Sequence, residues 1–317
     1  MRYCLMLEGQ EGVTWDEWVA AALTAERLGF EAIFTSDHYF SVMGNRERGS
    51  SDAWTNLGGL AAVTSTIRLG TLVSPVTFRE PAVLAKAGVT VDRISGGRVE
   101  IGMGAGWWEE EHVSHGFPFP PTPERFDMLE EQLQIVHGLL TEEAFTFEGA
   151  HYRLEDVRFA PKGVQEPHPP IIVGGAGGPR LARLVSRWAN EFNTTGVGPE
   201  ETGTRIARVR ERLDADGRAQ DTLTTSLMTW CYVGETEADA LERVARARER
   251  AMRADKYEDE LEQLRATCIF GSAQEAADRL SEYAAAGVQR IMLNHELFDD
   301  LEMLEVLAER VFPLVEG

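Results

Sequence analysis

The sequence predicts a closed (β/α)8 barrel, a TIM barrel of the α/β class. Two observations carry this. Strand-like and helix-like segments alternate from one end of the chain to the other, and eight of the strand-like segments can be counted. Each of the eight is short and apolar on both faces, as strands must be between a filled interior and a ring of helices. A doubly wound open sheet also alternates strands and helices, but the count of eight and alternation over the full length favour closure. The 317 residues fit one large barrel with insertions. No composition shift or linker marks a boundary, so one domain over residues 1–317 is expected.

The first strand is Tyr3–Leu7, ended by Glu8 and Gly9. Thr14-Trp15-Asp16-Glu17 forms a capping box. The helix it opens carries Trp18, Ala22, Ala25 and Leu28 at 3–4 spacing, and Gly29 ends it. Ala32–Thr35 is the second strand. A helix over Asp52–Thr64 leads to the third strand, Arg68–Val73. Pro81 suits the first turn of a helix reaching about Ile94, which Gly96-Gly97 terminates. Val99–Met103 is the fourth strand and Pro123–Leu140 the fourth helix.

The stretch Thr141–Pro170 departs from the pattern. Phe145 to Tyr152 contains two alternating runs about a turn, read as a hairpin insertion (about 141–170) before the fifth strand, Ile171–Val173. A helix from Gly178 or Pro179, a short sixth strand near Phe192 and a helix over Glu200–Ala215 come next. The seventh strand, Thr224–Val233, leads into a charged helix from Thr236 to about Arg253. Ser272-Ala273-Gln274-Glu275 is another capping box, and Arg290–Leu293 the eighth strand.

Charge and composition exclude several classes. With 31 basic and 52 acidic residues the net charge is −21, a surface that repels nucleic acid and anionic membrane. No apolar run reaches the ~18 residues of a membrane span, and the N-terminal run is too short for a signal-peptide core. A cytoplasmic location is expected. Cys4, Cys231 and Cys268 are far apart and lack C-x-x-C spacing, so neither a disulfide framework nor a zinc site is read. Cys4 and Cys231 lie in apolar runs, as buried structural thiols do.

In a barrel the chemistry sits at the C-terminal strand ends, and here polar and glycine residues collect at those ends. They are Ser36-Asp37-His38, Leu72-Val73-Ser74-Pro75 and Gly104-Ala105-Gly106-Trp107-Trp108, the last followed by Glu109 to His112. Gly174 to Gly178, Asn193-Thr194-Thr195 and Asn294-His295 complete the set. The run Gly174-Gly175-Ala176-Gly177-Gly178 is the most informative. Glycines let backbone N–H groups approach an anion, the following helix N-terminus favours negative charge, and Arg180 and Arg183 stand in the first turns. A loop that simply needs positive φ angles is the plainer reading. Asp37-His38 reads either as a hydrogen-bonded structural pair or as a proton-handling pair. Trp107 and Trp108 read either as packing or as a wall against a planar ring. His38, His112, His115 and His295 have no metal-ligand spacing. There is no G-x-S-x-G elbow, and Gly102-Met103-Gly104-Ala105-Gly106 lacks the helix of a dinucleotide fingerprint.

Several stretches together resemble the bacterial luciferase-like superfamily, in its F420-dependent branch, over nearly the whole chain. They are Ala25-Glu26-Arg27-Leu28-Gly29-Phe30 leading to Ser36-Asp37-His38; Ile67 to Pro75; Phe78 to Lys86; and Asp92-Arg93-Ile94-Ser95-Gly96-Gly97-Arg98 continuing into Gly104-Ala105-Gly106-Trp107. The resemblance implies a (β/α)8 barrel with an insertion after strand 4 or nearby, a homodimer, and a flavin or deazaflavin in the mouth. It implies that Asp37 and His38 contact the ring region, and that a cis peptide at Leu72–Val73 buttresses it. Ala105 and Gly106 would line the ring edge, and Gly175, Ala176, Gly177 and Gly178 would take the phosphate. The implied cofactor is coenzyme F420, with FMN as the alternative, and the implied activity is hydride transfer to a small organic substrate with His38 handling the proton. An FMN-dependent monooxygenase is the rival reading, and a cofactor-holding barrel without turnover a third. In one respect the chain departs from the branch. Its sugar-phosphate dehydrogenases place a catalytic glutamate just after the strand 4 glycine, where this chain has Trp107; Glu109 and His112 are the candidate substitutes.

Overall fold

Eight parallel strands close on themselves in the computed structural model of the chain, which describes residues 1–42, 47–251 and 257–316. The first half contains β1 (Arg2–Leu7), α1 (Trp15–Arg27), β2 (Ala32–Thr35), α2 (Ala53–Val63), β3 (Arg68–Thr71) and β4 (Ser74–Pro75). It continues with α3 (Pro81–Ser95), β5 (Val99–Gly104), α4 (Glu109–His115), α5 (Thr122–Thr141), β6 (Phe145–Glu148) and β7 (Arg153–Val157). Then come β8 (Ile171–Gly174), α6 (Pro179–Trp188), β9 (Glu191–Thr195), α7 (Pro199–Ala215), β10 (Thr224–Gly234), α8 (Glu237–Arg250) and α9 (Tyr257–Thr267). The last elements are β11 (Ile269–Ser272), α10 (Ala273–Ala285), β12 (Arg290–Asn294), α11 (Leu301–Val306) and α12 (Phe312–Glu316).

The barrel circuit runs β1-β2-β3-β5-β8-β9-β10-β12, and β12 pairs back onto β1 through Arg290↔Arg2 to Asn294↔Met6. Strands β4 and β11 lie beside β5 and β10 outside this circuit, and β6 and β7 form a separate antiparallel hairpin between α5 and β8.

Alternation along each strand explains why both faces had to be apolar. In β1, Cys4 and Met6 point inward and join Phe34, Leu72, Ile172 and Met292 in a plug that fills the interior. Leu5 and Leu7 point outward into the layer under the helices. The helices start where their caps allow. Thr14 with Glu17, Thr236 with Asp239 and Ser272 with Glu275 each form a complete capping box. Pro81 occupies the first turn of α3.

The floor of the barrel is ionic. Arg290, at 2% exposure, places Nη1 2.6 Å from Glu100 and 2.9 Å from Glu191, with Nε 2.8 Å from Glu31. Arg68 also pairs with Glu100. Burial alone would push the Glu100 carboxyl up, but Arg290 and Arg68 hold it below the usual carboxylate range.

Several elements differ from expectation: α9, α11 and α12 were not foreseen, and the third strand ends at Thr71 rather than Val73. Helix α4 was not foreseen, because seven residues show too little of a 3.6-residue period to stand out. The four-residue strand β11 was likewise too short to separate from the cap that follows it. The helix expected to reach Arg253 ends at Arg250, and residues 252 and 253 lie outside the described residues.

Candidate active site

A cavity of about 740 Å³ opens at the C-terminal ends of the barrel strands, a volume ordinary for a small-molecule site. Its lining comes from both ends of the chain and from four distinct sectors of the mouth.

The first sector is a flat apolar shelf of Leu72, Val73, Pro75, Ala105 and Gly106. The Leu72–Val73 peptide is cis, as the resemblance implied. Close approach dictates the glycine at the end of β5: a Cβ at Gly104 would stand 2.6 Å from Val73 Cγ2.

The second sector is the loop after β8. Gly175, Ala176 and Gly178 line the cavity, with Gly178 as N-cap of α6. Gly177 does not line it. Its φ of 66° is one that side-chain-bearing residues avoid, and a Cβ there would press on Arg205 O at 3.2 Å, so Gly177 shapes the loop. Neither arginine in the first turns of α6 supplies free charge here. Arg180 reaches the cavity edge but is held by Asp127 and by the Pro123 carbonyl at 2.8 Å, and Arg183 pairs with Glu130 at 3.1 Å.

The third sector carries His38 and Trp107. His38 Nδ1 lies 2.8 Å from Glu111 Oε2, and Glu111, fully buried on α4, also accepts the Tyr39 backbone N–H. Burial disfavours the imidazolium, yet Glu111, with Glu8 and Asp37 nearby, outweighs that and raises the His38 pKa. Trp107 is 63% exposed and stacks on Trp108 at 5.8 Å, forming the outer rim.

Asp37, expected at the ring region, does not line the cavity. Its buried carboxylate accepts from Ser74 Oγ at 2.6 Å and pairs with Arg79, which also bridges to Asp52 at 2.7 Å. Burial pushes the Asp37 pKa up against the pull of Arg79 and Ser74. It braces the turn that carries the shelf. The two candidate substitutes for the missing glutamate are also placed elsewhere. Glu109 is outside the lining, and His112 is buried, with Nε2 2.6 Å from Thr77 and Nδ1 2.6 Å from the Trp108 carbonyl. Burial drives the His295 pKa down to about 4. Among the described residues no His, Cys, Asp or Glu cluster could hold a metal.

The fourth sector was missed by sequence reasoning. Glu8, just past β1, and Glu296, just past β12, face the cavity with Trp230 of β10. Glu296 accepts from Trp230 Nε1 at 3.1 Å and from the Tyr232 hydroxyl. Nothing local signals these residues, because barrel closure alone brings positions 8 and 296 together. Glu111 was also missed, although its acidic first turn on α4, Glu109 to Glu111, was a readable helix-start signal.

Comparison with known proteins places the chain. An uncharacterized protein of Mycobacterium tuberculosis is 34% identical over 261 residues, spanning 75% of this chain and 90% of its own. An F420-dependent glucose-6-phosphate dehydrogenase of Microbacterium testaceum is 29% identical over 316 residues, 94% of this chain and 93% of that one. The monooxygenase RslO1 of Streptomyces bottropensis has the same fold, with a TM-score of 0.85 at 24% identity over 99% of both chains. The profile of the luciferase-like monooxygenase family matches residues 3–290, and the chain belongs to that family.

Proposed function

We propose that this luciferase-like oxidoreductase binds coenzyme F420 across the barrel mouth and passes a hydride between the deazaflavin and a small organic substrate. The observation that carries this is one cavity joining a flat apolar shelf to a glycine-walled helix N-terminus. The first suits a tricyclic ring and the second its phosphate. The F420-dependent enzyme of Microbacterium testaceum, similar over more than nine-tenths of both chains, supports the choice of deazaflavin.

The deazaflavin supplies the hydride chemistry at its C5 when bound. The chain's own residues do the rest. Leu72, Val73, Ala105 and Gly106 hold the ring face and edge. Backbone N–H groups of Gly175, Ala176 and Gly178 hold the phosphate, Gly177 keeps their loop in shape, and Asp37 braces the shelf from behind. Glu111 fixes Nδ1 of His38, which turns Nε2 over to the cavity, and the raised pKa keeps a proton there to donate.

The proposed assembly is a cytoplasmic homodimer. Supporting it are an apolar groove between α2 and α3, with Val83 and Ile94 half exposed, and three buried unpaired cysteines that suit a reducing compartment. No described helix is long and apolar enough to cross a membrane.

Parallel spectroscopic titrations with F420 and FMN test the cofactor assignment. F420 should saturate the protein and bind at least about tenfold tighter than FMN, a gap of about 1.4 kcal/mol. Tighter binding of FMN overturns the reading in favour of a flavin monooxygenase. Binding of F420 without turnover on any reducible substrate leaves only a cofactor-holding barrel.

A further inference from the structure

The shelf, the glycine loop and His38 leave one side of the mouth without a task, and that side is acidic. Glu8 and Glu296 both line the cavity there. Glu8 accepts from Gln10 Nε2 at 2.7 Å and from Asn294 Nδ2 at 3.1 Å, and Glu296 accepts from Trp230 and Tyr232. Among the described residues neither carboxylate has a Lys or Arg partner. Glu11, which also lines the cavity, differs in this respect: it is paired with Arg48 at 2.6 Å.

A second observation points to an absent guest. Asn294 is fully buried, and its Oδ1 has no hydrogen-bond partner among the described residues. Its amide nitrogen is already on Glu8, so the unmatched oxygen lies one carboxamide away from that carboxylate. An orphaned buried acceptor beside two carboxylates that lack a Lys or Arg partner is a site short of N–H donors and of positive charge. Trp230, held by its indole N–H to Glu296, adds an aromatic surface of the kind that attracts a cation.

On this side of the mouth the opposite charge has no side-chain receptor. Arg180 is the one Lys or Arg among the lining residues described, and it is committed to Asp127 and the Pro123 carbonyl. A substrate phosphate would therefore enter a cavity with two carboxylates that lack a Lys or Arg partner and with no free Lys or Arg; the remaining cationic group, His38, stands between Glu111 and Glu8.

We propose that Glu8, Trp230 and Glu296, with Asn294 buried behind Glu8 and outside the lining, bind a cationic nitrogen of the substrate, so that the enzyme acts on amine-bearing organic compounds and rejects sugar phosphates. The proposal rests on reading the barrel mouth as the active site. It also gives the buried carboxyl of Glu296, pushed up by burial with Glu8 and Glu11 nearby, a partner that brings it back down.

The test is calorimetric titration of the F420-loaded enzyme with benzylamine, benzyl alcohol and benzoate at neutral pH, with glucose 6-phosphate as a fourth ligand. Benzylamine should bind at least about tenfold tighter than benzyl alcohol, and the two anions more weakly still. Glu8→Gln and Glu296→Gln should each lose most of the amine preference while benzyl alcohol binds as before. A variant that fails to fold reveals itself by losing the alcohol too, and the wild-type ranking then decides. Equal binding of amine and alcohol, binding of either anion as tight as benzylamine, or an amine preference that survives in the double variant overturns the proposal. Repeating the titrations without cofactor separates the two readings. The acidic sector comes from β1, β10 and β12, so its amine preference persists even if F420 is the wrong cofactor.

Discussion

Nδ1 of His38 sits 2.8 Å from Oε2 of Glu111, a carboxylate on a short helix 73 positions away that has no solvent exposure of its own. The contact settles which ring nitrogen faces the cavity, and it decides when that ring is charged.

Replacing the carboxylate should lower the His38 pKa, because the charge that offsets burial is gone. In Glu111→Gln, the His38 ring resonances followed by NMR should titrate at lower pH than in the wild type. The sign for stability follows from the raised folded value. The contribution of protonated His38 is full below about pH 6.5, the unfolded value, and is lost as pH rises through the folded value. The Tm advantage of the wild type over His38→Gln should therefore shrink between mildly acidic and alkaline buffer. An advantage that grows instead would show that the pair stabilises the neutral ring.

His38→Ala should leave F420 affinity within about threefold while single-turnover hydride transfer falls by roughly 10²–10⁴, the usual worth of a positioned acid. Rapid mixing of loaded enzyme with substrate separates the two quantities. Unchanged transfer would remove His38 from the mechanism.

Gly178→Asp should move stability and binding in opposite directions. The position is open: a Cβ added there would meet no atom within 4 Å, and its φ of −62° suits any residue. An aspartate there caps α6 and gains a few tenths of a kcal/mol. The same carboxylate occupies the proposed phosphate position. Thermal denaturation should show Tm unchanged or raised, while the F420 titration weakens by about tenfold or more. Undiminished binding would move the phosphate elsewhere.

Arg290→Met should cost about 3–5 kcal/mol in urea denaturation, because Glu100 and Glu191 are left buried without their shared cation. Folded protein should still bind cofactor, since this network lies at the end of the barrel opposite the mouth. A loss of only a few tenths of a kcal/mol would mean that water reaches the floor.

The sequence carried the barrel because its signals are local. Capping boxes at Thr14 and Ser272 and short doubly apolar strands need only neighbouring residues to be read. The shelf and the glycine loop were legible for the same reason: the loop is one strand end and the shelf is two. The different surroundings of Asp37 and His38 were not legible, because adjacency in the chain says nothing about direction. Successive residues leaving a strand face opposite ways, and Asp37 turned to Ser74 and Arg79 while His38 turned to the cavity. Glu8 and Glu296 were not legible at all, since their meeting depends on the ring closing.

That closure also fixes when function can arise during synthesis. Asn294 and Glu8, hydrogen-bonded across the seam between the first and last barrel strands, are 286 positions apart. A ribosome that has released the shelf, His38 and the glycine loop has still not delivered β12. Until it does, β1 and β10 each present an unpaired edge to the cell, and the barrel interior is open to water. Competence therefore arrives in one late step, and the growing chain depends on whatever shields those edges during the wait.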